Sequence, residues 1–218
     1  MTSLFISDLH LHPDRPAATS AFKNFLATEA RDAKVLYILG DLFEAWFGDD
    51  NLCAHDRDVI SALAELTQSG TPCFFMHGNR DFMIGPQFAA ESGVDILYDP
   101  TLIYVGGESV LISHGDFLCT DDVSYQRYRK IVRNPVLQRL AMAMPLQFRS
   151  WIGTIIRRKS IASADYKRPE ILDVNEDAVR LTMRNYGVEK MIHGHTHRPA
   201  IHEFDMNGRA AQRIVLGD

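Results

Sequence analysis

The segment VLYILGD, residues 35–41, joins a run of apolar residues to a glycine and an aspartate. A short apolar run with such a boundary is typical of a strand buried on both faces of a sheet. The same arrangement recurs in LFIS before Asp8, CFFM before His77, SVLIS before His114 and KMI before His193. Helical patterns at 17–30 and 56–68 separate the first three runs, and a third follows at 86–91. Strands that alternate with helices predict an α/β protein with a largely parallel sheet.

The pattern changes in the second half of the chain. Residues 101–113 form two apolar runs around Gly106 and Gly107, which predicts a β-hairpin. A last pair of runs, at 201–204 and 213–216, flanks a turn at Asn207-Gly208. We therefore expect some antiparallel strands and a second sheet packed against the first.

Composition limits the protein to a few classes. The chain has 218 residues, is 46% hydrophobic and 23% charged, and so fits one ordinary globular domain with room for an insertion. Its net charge of −5 argues against a general nucleic-acid partner, and no protein partner is evident. Three widely spaced cysteines predict reduced thiols. The start, MTSLFISDLH, carries no export signal, so a cytoplasmic protein is expected.

Polar residues follow the ends of the predicted strands. They are Asp8, His10, Asp41, Asn79, His114, His195 and His197. Each of them alone has an ordinary structural explanation, because an aspartate can cap a helix and an asparagine after glycine is a common turn residue. Ligands of open α/β sheets bind at the carboxyl ends of the strands, however, and all seven residues fall there. Together they predict a ligand-binding site at the carboxyl ends of the strands.

The donor set indicates metal ions. Two carboxylates, four imidazoles and one carboxamide are too many for one closed zinc site, but they suit two ions that share a carboxylate. Oxygen and imidazole donors favour Mn²⁺ or Fe²⁺ at least as much as zinc, and we expect two Mn²⁺ ions. Two divalent ions and two aspartates leave a cleft of about +2, which suits a phosphate-containing substrate.

The motifs around these residues are DLH at 8–10, GD at 40–41, GNRD at 78–81, SHGD at 113–116 and GHTH at 194–197. In this order they resemble the calcineurin-like metallophosphoesterases. The resemblance implies a two-sheet αββα sandwich. It also implies one metal on Asp8, His10, Asp41 and His197, and a second on Asp41, Asn79, His114 and His195. Asp41 would bridge the ions, and catalytic roles would fall to Asp41, Arg80 and His195.

Arg80 departs from the wider family, in which many members have a histidine that acts as general acid at this place. An arginine stays protonated and can only neutralise developing charge. Such neutralisation is sufficient when the leaving group is itself a stable phosphate anion. Arg80 therefore favours hydrolysis of a diphosphate over hydrolysis of a phosphomonoester.

Residues 119–170 differ in composition from the core predicted at 1–118 and 171–218. They hold eleven basic and four acidic residues. Apolar residues recur within them at helical spacing, at Leu137, Leu140, Met144, Phe148, Trp151, Ile152 and Ile155. The segment is predicted to be a helical insertion. It is either a subdomain that packs on the core or a lid with an apolar groove and a basic rim for an acylated, anionic substrate.

The insertion narrows the resemblance to the branch of the family that cleaves the diphosphate of acylated UDP-sugars in lipid A synthesis. That implies release of UMP and an acylated sugar 1-phosphate, and peripheral contact with the cytoplasmic side of the bacterial inner membrane. The implied substrate contacts are Asn79, Arg80, Asp122, Ser160, Ala164, Lys167 and His195, of which Ala164 could contribute only its backbone or methyl group. The alternatives are another metallophosphoesterase, such as a nucleotide phosphodiesterase, and a non-catalytic scaffold, which would usually have lost ligands.

Overall fold

The first half of the chain forms a parallel sheet with three helices. The computed structural model describes residues 2–164, 171 and 173–217, and for residues 157–164 it describes the backbone alone. The elements are β1 (Ser3–Ile6), α1 (Pro16–Ala27), β2 (Val35–Ile38), α2 (Ala54–Gln68), β3 (Cys73–Met76), α3 (Pro86–Ser92) and β4 (Asp95–Leu97). The strands pair in parallel in the order β1-β2-β3-β4. The parallel sheet predicted from the alternating pattern is confirmed.

The second half contributes a mixed sheet. Its elements are β5 (Thr101–Val105), β6 (Glu108–Ser113), a 3₁₀ turn (Asp116–Leu118), α4 (Val123–Val132), α5 (Pro135–Met142), α6 (Leu146–Ala164), α7 (Glu176–Tyr186), β7 (Lys190–His193), β8 (Ala200–Asp205) and β9 (Ala210–Val215). The strand order is β5-β6-β7-β9-β8, with antiparallel pairs at both edges and parallel pairs between them. The predicted hairpin and last strand pair are therefore present.

The two sheets pack face to face. Leu39 and Met76 from the first sheet meet Val110, Ile112 and Ile192 from the second in one buried cluster. The outer face of the first sheet is covered by α1, α2 and α3, and that of the second by α7. This is the helix–sheet–sheet–helix layering that the resemblance implies.

Two elements were not predicted. Strand β4 has only three residues and lacks a long apolar run. Helix α7 carries readable end signals, because the Asn175 side chain accepts from the Ala178 backbone N–H and Gly187 ends the helix in the left-handed region. These signals could have identified α7 from the sequence.

Three helices, α4 to α6, occupy the predicted insertion. Asp122 caps α4, and Asn134 with Pro135 starts α5, so local sequence sets both helix starts. Arg149 on α6 is almost fully buried and forms an ion pair with Asp50 of the core. Among the described helices, none combines the length and the apolar character required to cross a bilayer.

Candidate metal centre and adjoining cavity

The loops after the strands converge on one buried cluster. Backbone hydrogen bonds join the loops after β1 and β2. They run from Asp8 N–H to Gly40 O and from His10 N–H to Asp41 O, each with an N···O distance of 3.0 Å. Donor atoms of Asp8, His10 and His197 lie within 4.8 Å of one another, and so do those of Asp8, Asp41 and His114. The two groups share Asp8. Strand ends that are far apart in sequence therefore present ligands to a common space.

One side of the cluster consists of His10, His197 and Asp8. The Nε2 atoms of His10 and His197 are 3.3 Å apart, and their rings stack at a centroid distance of 5.1 Å. His197 Nε2 lies 3.8 Å from Asp8 Oδ1. Such short distances between two imidazole nitrogens and a carboxylate oxygen suit a cation that binds all three.

The other side consists of His114, Asn79 and His195. His114 Nε2 lies 3.0 Å from Asn79 Oδ1, and its ring centroid lies 5.0 Å from that of His195. Asp41 Oδ2 lies 4.0 Å from His10 Nε2 and 3.9 Å from His114 Nε2. Asp41 thus stands between the two sides, and the structure brings all seven predicted ligands together.

Backbone strain is concentrated in this cluster. Six described residues other than glycine have a positive φ, and five of them are predicted ligands: Asp8, His10, Asp41, His195 and His197. The sixth, Asn207, lies in a surface turn. Left-handed backbone at residues with side chains costs free energy and persists where the surrounding structure or a function requires it.

Two motif glycines allow the loops to approach closely. A Cβ atom built on Gly78 would overlap the Asp41 carboxylate, and one built on Gly194 would overlap the Asp8 carboxylate. The glycines of GNRD and GHTH are therefore required so that ligands on neighbouring loops can pack against them.

The pKa values of the cluster show that its buried carboxylates favour positive charge nearby. Burial, aided by the carboxylates of Asp81 and Asp8 against the opposing influence of His114, raises the pKa of Asp41 to about 7. Burial lowers the pKa of His114, but Asp41 and Asp8 outweigh it and raise that pKa to about 9. Asp8 Oδ1 is buried with no hydrogen-bond partner among the described residues. Carboxylates in this environment fit divalent cations.

Burial keeps two other imidazoles neutral, which is the form that binds metal. It lowers the pKa of His10 to about 3, with Arg80 contributing, and the pKa of His195 to about 4, with His114 contributing. His193, the remaining histidine of this stretch, has a structural role. Its Nε2 lies 3.1 Å from Arg213 Nη1, and its Nδ1 lies 2.8 Å from Gly194 O.

Arg80 lies beside the cluster with a residue that sequence reasoning missed. Its guanidinium forms an ion pair with Glu44, and its Nε lies 3.7 Å from Asp41 Oδ2. Glu44 also approaches His10 Nδ1 at 3.4 Å. Its position three residues after Asp41, in LGDLFE, is the signal that could have identified it.

The structure describes only some of the other implied substrate contacts. Asn79 and His195 lie in the cluster. Asp122 Oδ1 accepts from the Tyr125 backbone N–H at 3.0 Å and so caps α4. The described side chains do not include those of Ser160 and Ala164, and Lys167 lies outside the described residues.

An apolar cavity of about 510 Å³ begins at the cluster. Asn79 and Arg80 line it together with residues of α4, α5 and α6. The apolar series of the insertion divides between two faces. Leu137, Met144 and Ile152 line the cavity, whereas Leu140, Phe148 and Trp151 are 60%, 49% and 58% exposed. Helices α5 and α6 therefore present apolar residues both toward the cavity and away from it.

A two-sheet fold that holds carboxylate, carboxamide and imidazole donors at its strand ends, beside an arginine, defines a metal-dependent phosphoesterase. The chain belongs to the calcineurin-like phosphoesterase family, whose sequence model matches residues 1–199.

Within that family the chain is similar to two curated relatives named UDP-2,3-diacylglucosamine hydrolase. The one from Salmonella arizonae is 50% identical over 217 residues, which cover 100% of this chain and 90% of the relative. The one from Chromohalobacter salexigens is 48% identical over 218 residues, 100% of this chain and 89% of the relative. A solved structure described as a novel archaeal phosphodiesterase is 14% identical, with a TM-score of 0.47 over 100% of this chain and 84% of its own.

Proposed function

We propose that the protein hydrolyses the diphosphate of UDP-2,3-diacylglucosamine to UMP and 2,3-diacylglucosamine 1-phosphate. The observation that carries the proposal is the apolar cavity that opens directly from the metal-ligand cluster through Asn79 and Arg80. A substrate with a charged diphosphate and apolar acyl chains requires these two environments side by side. The name of the relatives, at about half identity over the whole chain, supports the same substrate.

Product analysis tests the proposal. Incubation with the acylated UDP-sugar should release UMP and an acylated sugar 1-phosphate, and hydrolysis in ¹⁸O-water should place the label in UMP. Hydrolysis of simple nucleotide phosphodiesters with no cleavage of the acylated substrate would instead favour a general phosphodiesterase.

Seven side chains would hold two divalent ions, and we favour Mn²⁺. Asp8, His10, Asp41 and His197 would serve one ion, and Asp41, Asn79, His114 and His195 the other. Support comes from the 3.9 and 4.0 Å distances of Asp41 Oδ2 from imidazoles on both sides and from the mixed oxygen and nitrogen donors. Divalent ions bound there would lower the pKa of water from 15.7 toward about 7 and so supply a nucleophile at neutral pH.

Arg80 is proposed to neutralise charge on the diphosphate as the bond to the departing sugar phosphate breaks. Glu44 and Asp41 hold the guanidinium beside the cluster, and a guanidinium can pair with two phosphate oxygens at once. His195 and Asn79 would complete the contacts on the phosphate side. Asp122, Ser160, Ala164 and Lys167 remain proposed contacts from the insertion.

Replacing Arg80 with alanine is expected to lower kcat by about 10² to 10³, because it removes one preorganised donor from the transition state. The loss should appear in kcat without a new acidic or basic limb in the pH profile. Arg80→Lys keeps the charge but cannot pair with two phosphate oxygens in the same way, so it should recover only part of the rate. An unchanged kcat in Arg80→Ala would exclude Arg80 from the reaction.

The insertion, residues 119–170, is proposed to be a lid whose inner face receives the acyl chains. Its outer face carries Leu140, Phe148 and Trp151, and the rings of Phe148 and Trp151 stack at 5.8 Å. Exposed aromatic and aliphatic side chains on a basic segment suit an anionic membrane surface. We therefore propose a peripheral protein on the cytoplasmic side of the bacterial inner membrane.

Cosedimentation with phosphatidylglycerol vesicles tests this surface. The double variant Phe148→Ser, Trp151→Ser should bind vesicles about tenfold more weakly, because it removes apolar area that would enter the interface. Leu181→Ser, at an exposed leucine of α7, is the matched control. Equal binding by the double variant and the control would rule out this face.

A further inference from the structure

Helix α4 presents a polar stripe to the core. Tyr125, Arg129 and Arg133 are spaced four residues apart and so share one helix face. The Tyr125 hydroxyl and Arg129 Nε both donate to Asp116 Oδ2, at 2.7 and 2.8 Å. Arg129 also reaches Asp99 Oδ2 at 3.3 Å. The stripe thus joins the insertion to buried carboxylates of the core.

Arg133 contacts the backbone next to a proposed metal ligand. Its Nη2 donates to the backbone oxygens of His77, at 3.1 Å, and Gly78, at 2.9 Å. These carbonyls immediately precede Asn79, whose Oδ1 lies 3.0 Å from His114 Nε2. A guanidinium from the insertion therefore holds the backbone that carries a ligand of the core.

The same backbone is fixed from its other side. The Gly78 N–H donates to Asp81 Oδ1 at 2.8 Å, and Gly78 packs directly against the Asp41 carboxylate. Asp81 in turn accepts from the Leu42 N–H at 2.8 Å, which ties this loop to the one carrying Asp41. With Arg133 on the His77 carbonyl and Asp81 on the Gly78 N–H, the His77–Gly78 peptide is held on both sides.

We propose that Arg133 is a positioning residue of the metal centre: it fixes residues 77–79 so that Asn79 stays aligned with His114. The first helix of the insertion is then part of the apparatus that shapes the metal site as well as a wall of the cavity. This inference rests on the proposed function only in taking Asn79 as a metal ligand. Groups that orient metal ligands from outside commonly contribute about 10- to 100-fold in metal affinity or activity.

Calorimetric titration of metal-stripped protein with Mn²⁺ tests the role. Arg133→Met removes the donors but keeps an unbranched side chain close in volume to the aliphatic part of arginine, and it should weaken Mn²⁺ binding about 10- to 100-fold. Arg133→Lys, whose ammonium can replace part of the contact, should lie between Arg133→Met and wild type. Arg127→Met, at an exposed arginine of the same helix, is the control and should bind Mn²⁺ as the wild type does.

Steady-state kinetics and thermal unfolding complete the test. Arg133→Met should lower kcat at saturating Mn²⁺ and substrate with little change in KM. Wild-type Mn²⁺ affinity in Arg133→Met, with or without a lower Tm of the metal-free protein, would overturn the proposal. Should Arg133→Met not fold, Arg133→Lys decides: weaker Mn²⁺ binding supports the role and unchanged binding overturns it. A failure of the substrate assignment alone would leave the Mn²⁺ result intact.

Discussion

Replacement of Asp41 by asparagine is expected to abolish hydrolysis of UDP-2,3-diacylglucosamine, with a loss of about 10³ or more in kcat. Asparagine has the same shape and can still accept from the Arg80 backbone N–H, a bond of 2.9 Å. It removes the negative charge from the carboxylate that stands between His10 and His114. Since groups that merely orient metal ligands contribute about 10- to 100-fold, loss of a shared ligand should cost more.

Metal analysis and thermal unfolding distinguish this effect from misfolding. Wild-type protein reconstituted with Mn²⁺ should hold two ions per chain, and Asp41→Asn should hold one or none while it unfolds cooperatively. Asp95→Asn, at an exposed aspartate of β4, should behave as the wild type does. Two bound ions together with a rate within tenfold of wild type in Asp41→Asn would contradict the bridging role.

Local sequence was sufficient for most elements of the fold. Strand β3 was predicted residue for residue as CFFM, and helix α2 to within two residues, because apolar periodicity and boundary residues act within a few positions. Strand β4 was missed because it is short and its pairing with β3 is a tertiary contact. The sandwich itself came from the resemblance, since periodicity does not determine how two sheets face each other.

The candidate site was predictable for side chains that follow strand ends directly. Glu44 and Arg133 contact segments far apart in sequence, so their positions along the chain are readable but their partners are not. The insertion shows the same limit. Helical spacing indicated an apolar series, but packing of α5 and α6 decided that Ile152 lines the cavity while the adjacent Trp151 is exposed.

Removal of the acyl chains from the substrate is expected to lower kcat/KM by about 10³. Each buried CH₂ contributes about 0.8 kcal/mol, so burial of five methylenes in the cavity corresponds to about 4 kcal/mol. Binding energy from this remote part of the substrate positions the diphosphate at the metal-ligand cluster. The measurement compares UDP-glucosamine with the diacylated substrate in detergent micelles, which removes any contribution from membrane binding.

Ile152 and Trp151 provide a matched pair of variants for the cavity, because they are neighbours on α6 and only Ile152 lines the cavity, whereas Trp151 is exposed. Ile152→Ser places a hydroxyl in the apolar cavity and should lower kcat/KM for the diacylated substrate about tenfold, the equivalent of roughly two buried methylenes. It should leave hydrolysis of a small phosphodiester such as bis(p-nitrophenyl) phosphate unchanged. In micelles, Trp151→Ser should leave kcat/KM unchanged for both the diacylated substrate and the small phosphodiester. If Ile152→Ser lowers both activities by the same factor, the insertion only supports the fold, and a general phosphodiesterase becomes the better assignment.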